Sequence, residues 1–280
     1  MPVSEQLKSL VDQLPPADAR GMYDTDIDKE KIDKTFAEIC QGGVPNVLGL
    51  LEMMGRPGSA QDVKPHYALH GVLNHVLVTK NESARKEFCT ALAGQLAGEQ
   101  TKYIRGYLCQ ELQWAGHAEA VPALGKLLLD EDLAEPAKMA LVTIGAGATA
   151  QFLAALGEAQ GKCRLAVIHG LAALAEPPAA APLRAALADP DREVRIAAGA
   201  GLAKLGDAAA SDALLKAAAV GPGWERVQQT KNCLVLAEKL AAAGNKPEAA
   251  KVYRQLRDSR TDSAEKYIRD AADKALALLG

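Results

Sequence analysis

Apolar side chains recur every three or four positions along much of the chain, which is the spacing of one buried helix face. The clearest stretch contains Val194 and Leu202 on one such stripe. Aspartates precede the stripe and a glycine follows it. Asp189 or Asp191 can cap the start of a helix, and Gly206 can supply a left-handed stop. We therefore predict a helix here, with a second, shorter helix behind it.

The same pattern returns at nearly constant intervals. In its full form it runs eleven residues from an arginine, through a leucine, to a glycine or alanine that ends the helix. The first four copies start 29, 30 and 31 residues apart, which is the length of one pair of short helices per repeat. The copies cover residues 105–116, 134–145, 164–175, 195–206 and 269–280.

The motif at 189–198, Asp-Pro-Asp-x-x-Val-Arg-x-x-Ala, is followed by a leucine, a glycine and a second helix. This pattern resembles HEAT repeats, specifically the short HEAT-like type found in phycobilisome lyases and many bacterial scaffolds. The resemblance covers roughly residues 65–280 and is strongest at 189–206. It implies an all-α fold, a right-handed α-solenoid of stacked antiparallel helix pairs.

The chain divides into three parts by sequence. Residues 1–60 include an acidic, proline-containing stretch, and we interpret them as the N-terminal helical cap that a solenoid needs over its first core. Residues 61–220 hold the HEAT-like repeats. Residues 221–280 open on Gly-Pro-Gly and contain a long helix predicted from Trp224 to Ala243. The hairpin that follows resembles a tetratricopeptide repeat, so this part reads as longer helical hairpins or a capping repeat.

Composition supports the predicted helices and limits the classes of partner that the protein can bind. Of the 280 residues, 54 are alanine, which favours helices and is depleted in strands. The formal net charge is -3, so the chain lacks the strong positive field that binding to nucleic acid requires. A nucleic-acid-binding HEAT-like protein is therefore a disfavoured alternative. The longest apolar runs are about half of a bilayer crossing, so we predict no membrane association.

Cysteine usage and the first residues favour a cytoplasmic protein. The five cysteines are odd in number and contain no Cys-x-x-Cys pair, which is typical of reduced, buried thiols. Glu5 and Lys8 interrupt the apolar pattern at the start, unlike a secretory signal. A mature form whose signal has been removed stays open as the alternative.

His66 and His70 are the candidate metal ligands. Their spacing of four places both imidazoles on one helix face, where a pair can chelate zinc, nickel or copper. A usable site needs three or four ligands, and we find no carboxylate at a helpful offset on that face. The metal-dependent hydroxylases with a HEAT-like fold carry His-Glu dipeptides, and no histidine here precedes a glutamate. We predict no metal and no cofactor, with a lyase-like or metal-assisted enzyme as the alternative.

A second cluster stands out because only 4% of the chain is aromatic. Tyr103, Tyr107, Glu111 and Trp114 follow one another at spacings of four, four and three, on one helix face. Trp and Tyr often anchor protein interfaces. The face is therefore either a contact surface for a partner or a plug at the junction with the preceding repeat, and the sequence supports both interpretations.

The family resemblance adds a second candidate surface, because the second helices of HEAT-like proteins usually line the concave, partner-binding face. We expect a non-enzymatic scaffold that binds a protein or peptide partner through this concave surface. The residues nominated by their position there are Lys126, Gln151, Arg184, Asp212 and Lys216.

Overall fold

The computed structural model describes residues 3–16, 27–57 and 59–279. These ranges contain sixteen α-helices, four short 3₁₀ turns and no β-strand. The helices are α1 (Glu5–Asp12), α2 (Lys29–Gln41), α3 (Gly43–Met53), α4 (Ala60–Val78), α5 (Glu82–Gln95), α6 (Lys102–Ala115), α7 (Val121–Lys126), α8 (Ala134–Ile144), α9 (Ala148–Ala155), α10 (Gly161–Leu174), α11 (Ala180–Ala186), α12 (Arg192–Leu205), α13 (Ser211–Ala217), α14 (Trp224–Ala242), α15 (Lys246–Ser259) and α16 (Lys266–Leu279).

These helices form two compact units. The first unit covers residues 1–147 and contains α1 to α8, and the second covers residues 148–280 and contains α9 to α16. The predicted all-α fold of helical repeats is confirmed. The three-part division at residues 60 and 220 stays a prediction, and residues 17–26 of the proposed N-terminal cap lie outside the described residues.

The ends of α12 follow from its sequence motif. The side chain of Asp191 accepts the backbone N–H of Glu193 at 2.8 Å, so Asp191 is the cap. Asp189 is not the cap. Its side chain accepts the backbone N–H of Asp191 at 3.0 Å and a hydrogen bond from Arg164 at 2.6 Å. Gly206 ends the helix in the left-handed conformation, with φ at 69°. The predicted stop is confirmed.

Small residues allow consecutive repeats of the second unit to approach closely. A Cβ atom added to Gly201 on α12 would lie 2.8 Å from both Cα and Cβ of Ala172 on α10. Real Cβ atoms do not come that close to a neighbouring backbone, so only glycine fits there. This contact gives the alanine and glycine content a structural role, since larger side chains would hold α10 and α12 apart.

Ion pairs join several repeats to the next one along the chain. In the second unit Arg195 makes two bonds of 2.6 Å to Glu225, and Arg226 makes two bonds of 2.8 Å to Glu265. Such bidentate pairs fix orientation as well as distance. In the first unit the partly exposed Lys102 reaches Asp130 at 3.1 Å. Each pair spans about one repeat of sequence, so these pairs help to set the register.

Replacing Gly201 by alanine tests the close approach. Overpacking costs about 1–3 kcal/mol, which outweighs the roughly 1 kcal/mol by which alanine improves on glycine inside a helix. We expect Gly201→Ala to lower the midpoint of urea unfolding, followed by circular dichroism. Gly157→Ala is the control in the same unit, because nothing lies within 4 Å of its added carbon. Equal midpoints for the two variants would contradict the packing described.

Candidate functional site

The two clusters singled out in the sequence lie side by side in the first unit. Helix α6 buries Ile104, Leu108 and Leu112 as its core stripe. The adjacent stripe of the same helix, at spacings of four, four and three, faces α4. There the tyrosines meet the histidines of α4, so residues that belong to separate clusters in the sequence form one surface. We call it the aromatic surface and define it as His66, His70, Tyr103, Tyr107 and Trp114.

Tyr103 is tied to α4 through a carboxylate that the sequence reasoning missed. Its hydroxyl donates to Asp62 at 2.6 Å, and the buried Asp62 also accepts the N–H of Gly55 at 3.1 Å. Burial and the bond to Asp62 raise the pKa of Tyr103 to about 12. Asp62 lies four residues before His66, on the same helix face. The expectation that no carboxylate occupies that face was wrong.

The His66 ring contacts both tyrosines of α6. Its ring centroid lies 4.2 Å from that of Tyr107 and 5.6 Å from that of Tyr103. Its Nδ1 lies 2.7 Å from the carbonyl oxygen of Asp62, so Nδ1 carries the proton and donates. Nε2 is buried without a hydrogen-bond partner among the described residues. The hydroxyl of Tyr107 donates to the carbonyl of His66 at 2.9 Å. The imidazole therefore packs at the contact between α4 and α6.

His70 positions the most exposed aromatic ring of this surface. Its Nδ1 lies 3.2 Å from both carboxylate oxygens of Glu111, which is buried. The ring of Trp114 lies beside the His70 imidazole, with the two centroids 5.8 Å apart and the planes tilted by 43°. Trp114 keeps 57% of its surface exposed. The indole therefore contacts the His70 imidazole and is largely exposed to solvent.

The two histidines do not converge on a metal position. His66 faces Asp62, whereas His70 faces Glu111. Within residues 3–16, 27–57 and 59–279, no group of three or more His, Cys, Asp or Glu side chains could hold a metal ion. The spacing of four is explained by packing, since each imidazole contacts an aromatic side chain of α6.

A groove borders the aromatic surface. It has a volume of about 350 Å³ and runs beside α6 toward the start of α8. Its lining residues are His66, Lys102, Tyr103, Gly106, Tyr107, Gln110, Asp132 and Leu133.

Comparison with known families concerns the first part of the second unit. A family model described as HEAT repeats matches residues 148–234. Residues 148–234 therefore carry HEAT repeats. The match covers α9 to α13 and the first part of α14. A search of curated proteins gave no significant match. No helix in the described ranges has the length and apolar character needed to cross a membrane.

The second helices of these HEAT repeats hold most of the other nominated residues, and two of them are already paired. Arg184 on α11 bonds to Asp207, and Asp212 on α13 lies 2.6 Å from Lys251 on α15. Lys216 is exposed and Gln151 is half-buried. Lys126, in the first unit, is exposed. The prediction that this set contacts a partner remains open.

The cysteines are free thiols, and four of the five are buried. Burial is the main cause that raises the pKa of Cys89, Cys109 and Cys233 to about 12. A thiol with so high a pKa is neutral at physiological pH and a poor nucleophile. The burial of four cysteines agrees with the prediction of buried thiols, whereas Cys40 is only half-buried.

The bond between His70 and Glu111 predicts a measurable titration. This bond raises the pKa of His70 above its ordinary 6.5, although burial works in the opposite direction. The contribution of the pair to stability is therefore fully present below pH 6.5 and is lost as the pH rises through the raised pKa. We expect NMR titration to give a midpoint above 6.5, and Glu111→Gln to lower it. The same midpoint in both proteins would contradict this pairing.

Proposed function

We propose that the protein is a non-enzymatic binding module of HEAT-like repeats that docks a protein or peptide partner on its aromatic surface. The observation that carries this proposal is the position of Trp114. Its indole is 57% exposed, yet it rests on an imidazole that a buried carboxylate holds in place. Trp is among the residues that most often anchor protein interfaces.

The fixed orientation of the neighbouring tyrosine rings also matters for affinity. A partner that orders mobile side chains loses about 0.5–1.5 kcal/mol for each one immobilised. The rings of Tyr103 and Tyr107 are already fixed, since their hydroxyls bond to Asp62 and to the carbonyl of His66. Binding on this surface would therefore cost little conformational entropy, and a small contact area could still be specific.

The second helices are a weaker candidate for the same role. A partner that used the charges of Arg184 or Asp212 would compete with the ion pairs that these residues make to Asp207 and Lys251. Lys126 and Lys216 are exposed single charges, which contribute little to affinity once screened by salt. The concave face that the family resemblance suggests thus remains the alternative binding site.

The bonding of Asp62 and Glu111 supports a structural role for these two carboxylates. Asp62 and Glu111 are buried and hydrogen-bonded within the surface, where they position rings. Carboxylates that are bonded in this way are not free to act as a general base or nucleophile. The formal charge of -3 likewise supports a protein or peptide as the partner over nucleic acid.

Panning a random peptide display library against the purified protein tests this proposal. Trp114→Ala removes the anchor, and Trp224→Ala is a matched control because Trp224 is also 57% exposed but lies in the second unit. We expect enriched peptides that bind Trp224→Ala as tightly as the wild type. Binding to Trp114→Ala should be at least about tenfold weaker, as for an interface hot spot.

Circular dichroism melting curves control for folding, and both variants should melt like the wild type because both rings are largely exposed. Two outcomes would contradict the proposal. One is that no peptide is enriched. The other is that binding survives Trp114→Ala and is lost in Trp224→Ala.

A further inference from the structure

Helix α16 exposes a second apolar stripe beside the one that it buries. Ile268 and Ala272 are its buried side chains. Tyr267 and Leu278 are 61% and 85% exposed, and Ala271 lies exposed between them. At 100° per residue, the line through these three residues lies about 100° around the helix from the buried stripe. A surface helix normally carries polar side chains there, so the exposed stripe points to a further contact.

We call this line the α16 stripe and define it as Tyr267, Ala271, Lys274 and Leu278. Its members follow one another at spacings of four, three and four. Alternating spacings of three and four form the seam along which paired helices pack. The aliphatic stem of the exposed Lys274 can cover apolar surface while its ammonium stays in water. The stripe therefore suits a second helix.

The α16 stripe is complementary to itself when it is reversed. In an antiparallel pair that sets Ala271 opposite Lys274 of a second copy, the same register sets Tyr267 opposite Leu278. Each small alanine then receives a longer side chain, and each tyrosine ring covers a leucine. A dimer with two-fold symmetry requires such a surface, because the same residues contribute from both copies. An identical helix is therefore the occupant that this order of residues fits.

Charges select the antiparallel direction. A parallel pair in register would place the two copies of Lys274 side by side, where like charges repel. The antiparallel pair instead places each Lys274 near Asp270 of the other copy. Asp270 already accepts a hydrogen bond from Lys266 at 2.6 Å, so this added contact contributes little. Burial of Tyr267 and Leu278 supplies the driving force for association.

We infer that the α16 stripe pairs with the same stripe of a second copy, in an antiparallel dimer with two-fold symmetry. This inference does not depend on the proposed function, because the aromatic surface belongs to the first unit and α16 to the second. A single pair of 14-residue helices buries less surface than the roughly 1,200–2,000 Å² of a standard interface. The dimer is therefore weak and forms at high protein concentration.

Sedimentation equilibrium of the full chain tests the inference. Between about 1 µM and 500 µM, we expect the average molar mass to rise from that of the monomer toward twice that value. Leu278→Lys places an ammonium beside Lys266 of the second copy and should weaken dimerisation at least about tenfold. Val78→Lys should dimerise like the wild type. It is a matched control, because Val78 is 71% exposed and also lies in the last turn of its helix, α4.

Oxidative crosslinking tests the direction of the pair. In the antiparallel register, the two copies of Ala271 are offset by three residues, about 4.5 Å along the axis, whereas the two copies of Leu278 are offset by eleven residues, about 16 Å. A disulfide spans about 4.4–6.8 Å between Cα atoms. We therefore expect Ala271→Cys to form disulfide-linked dimers and Leu278→Cys to form none. The oxidised wild type, in which four of the five thiols are buried, is the reference.

Circular dichroism melting curves control for folding, and both lysine variants should melt like the wild type because both side chains are largely exposed. A monomeric mass at every concentration would overturn the inference. A dimer that Leu278→Lys leaves intact would also overturn it. Disulfide links from Leu278→Cys with none from Ala271→Cys would contradict the antiparallel register.

Discussion

Close contact between the helices of consecutive repeats is the constraint on which the structure depends. A pair of short helices cannot bury its apolar faces alone, so each repeat is stable only against its neighbours. In the second unit this contact is close enough that Gly201 has no room for a side chain beside Ala172. The ion pairs from Arg195 to Glu225 and from Arg226 to Glu265 then fix how one repeat follows another.

The junction of α4 and α6 in the first unit is built from different residues. Aromatic and titratable side chains fill it, in a chain where aromatics make up only 4% of the residues. Its hydrogen bonds hold the rings in defined orientations, and one indole remains open. The same residues therefore join two helices and form a surface, so the two interpretations of this cluster in the sequence are compatible.

Local features of the fold could be predicted from sequence because their causes are local. The cap near Asp191, the stop at Gly206 and a long helix from Trp224 all depend on residues within a few positions of each other. The predicted end of that helix at Ala243 is one residue beyond the observed Ala242. The HEAT repeat match at 148–234 falls on the part of the chain with the most regular spacing.

The histidines and the aromatic residues of the candidate site could each be predicted, but their contact with one another could not. The histidine pair and the aromatic column each have helical spacing, but they are about 40 residues apart, and nothing local shows that α4 and α6 bring them together. Asp62 was missed although it lies four residues before His66. The pairing of Lys102 with Asp130 and Asp132 was missed because it depends on the packing of separate helices.

The central claim is that the partner contacts the α6 face, and site-specific photocrosslinking in cells tests it most directly. Benzoylphenylalanine replaces Gln110, an exposed residue in the groove, or Lys216, an exposed residue on a second helix, one at a time. A strong adduct from position 110 and little or none from position 216 is the predicted result. An adduct from position 216 with none from position 110 would contradict the claim and place the interface on the second helices.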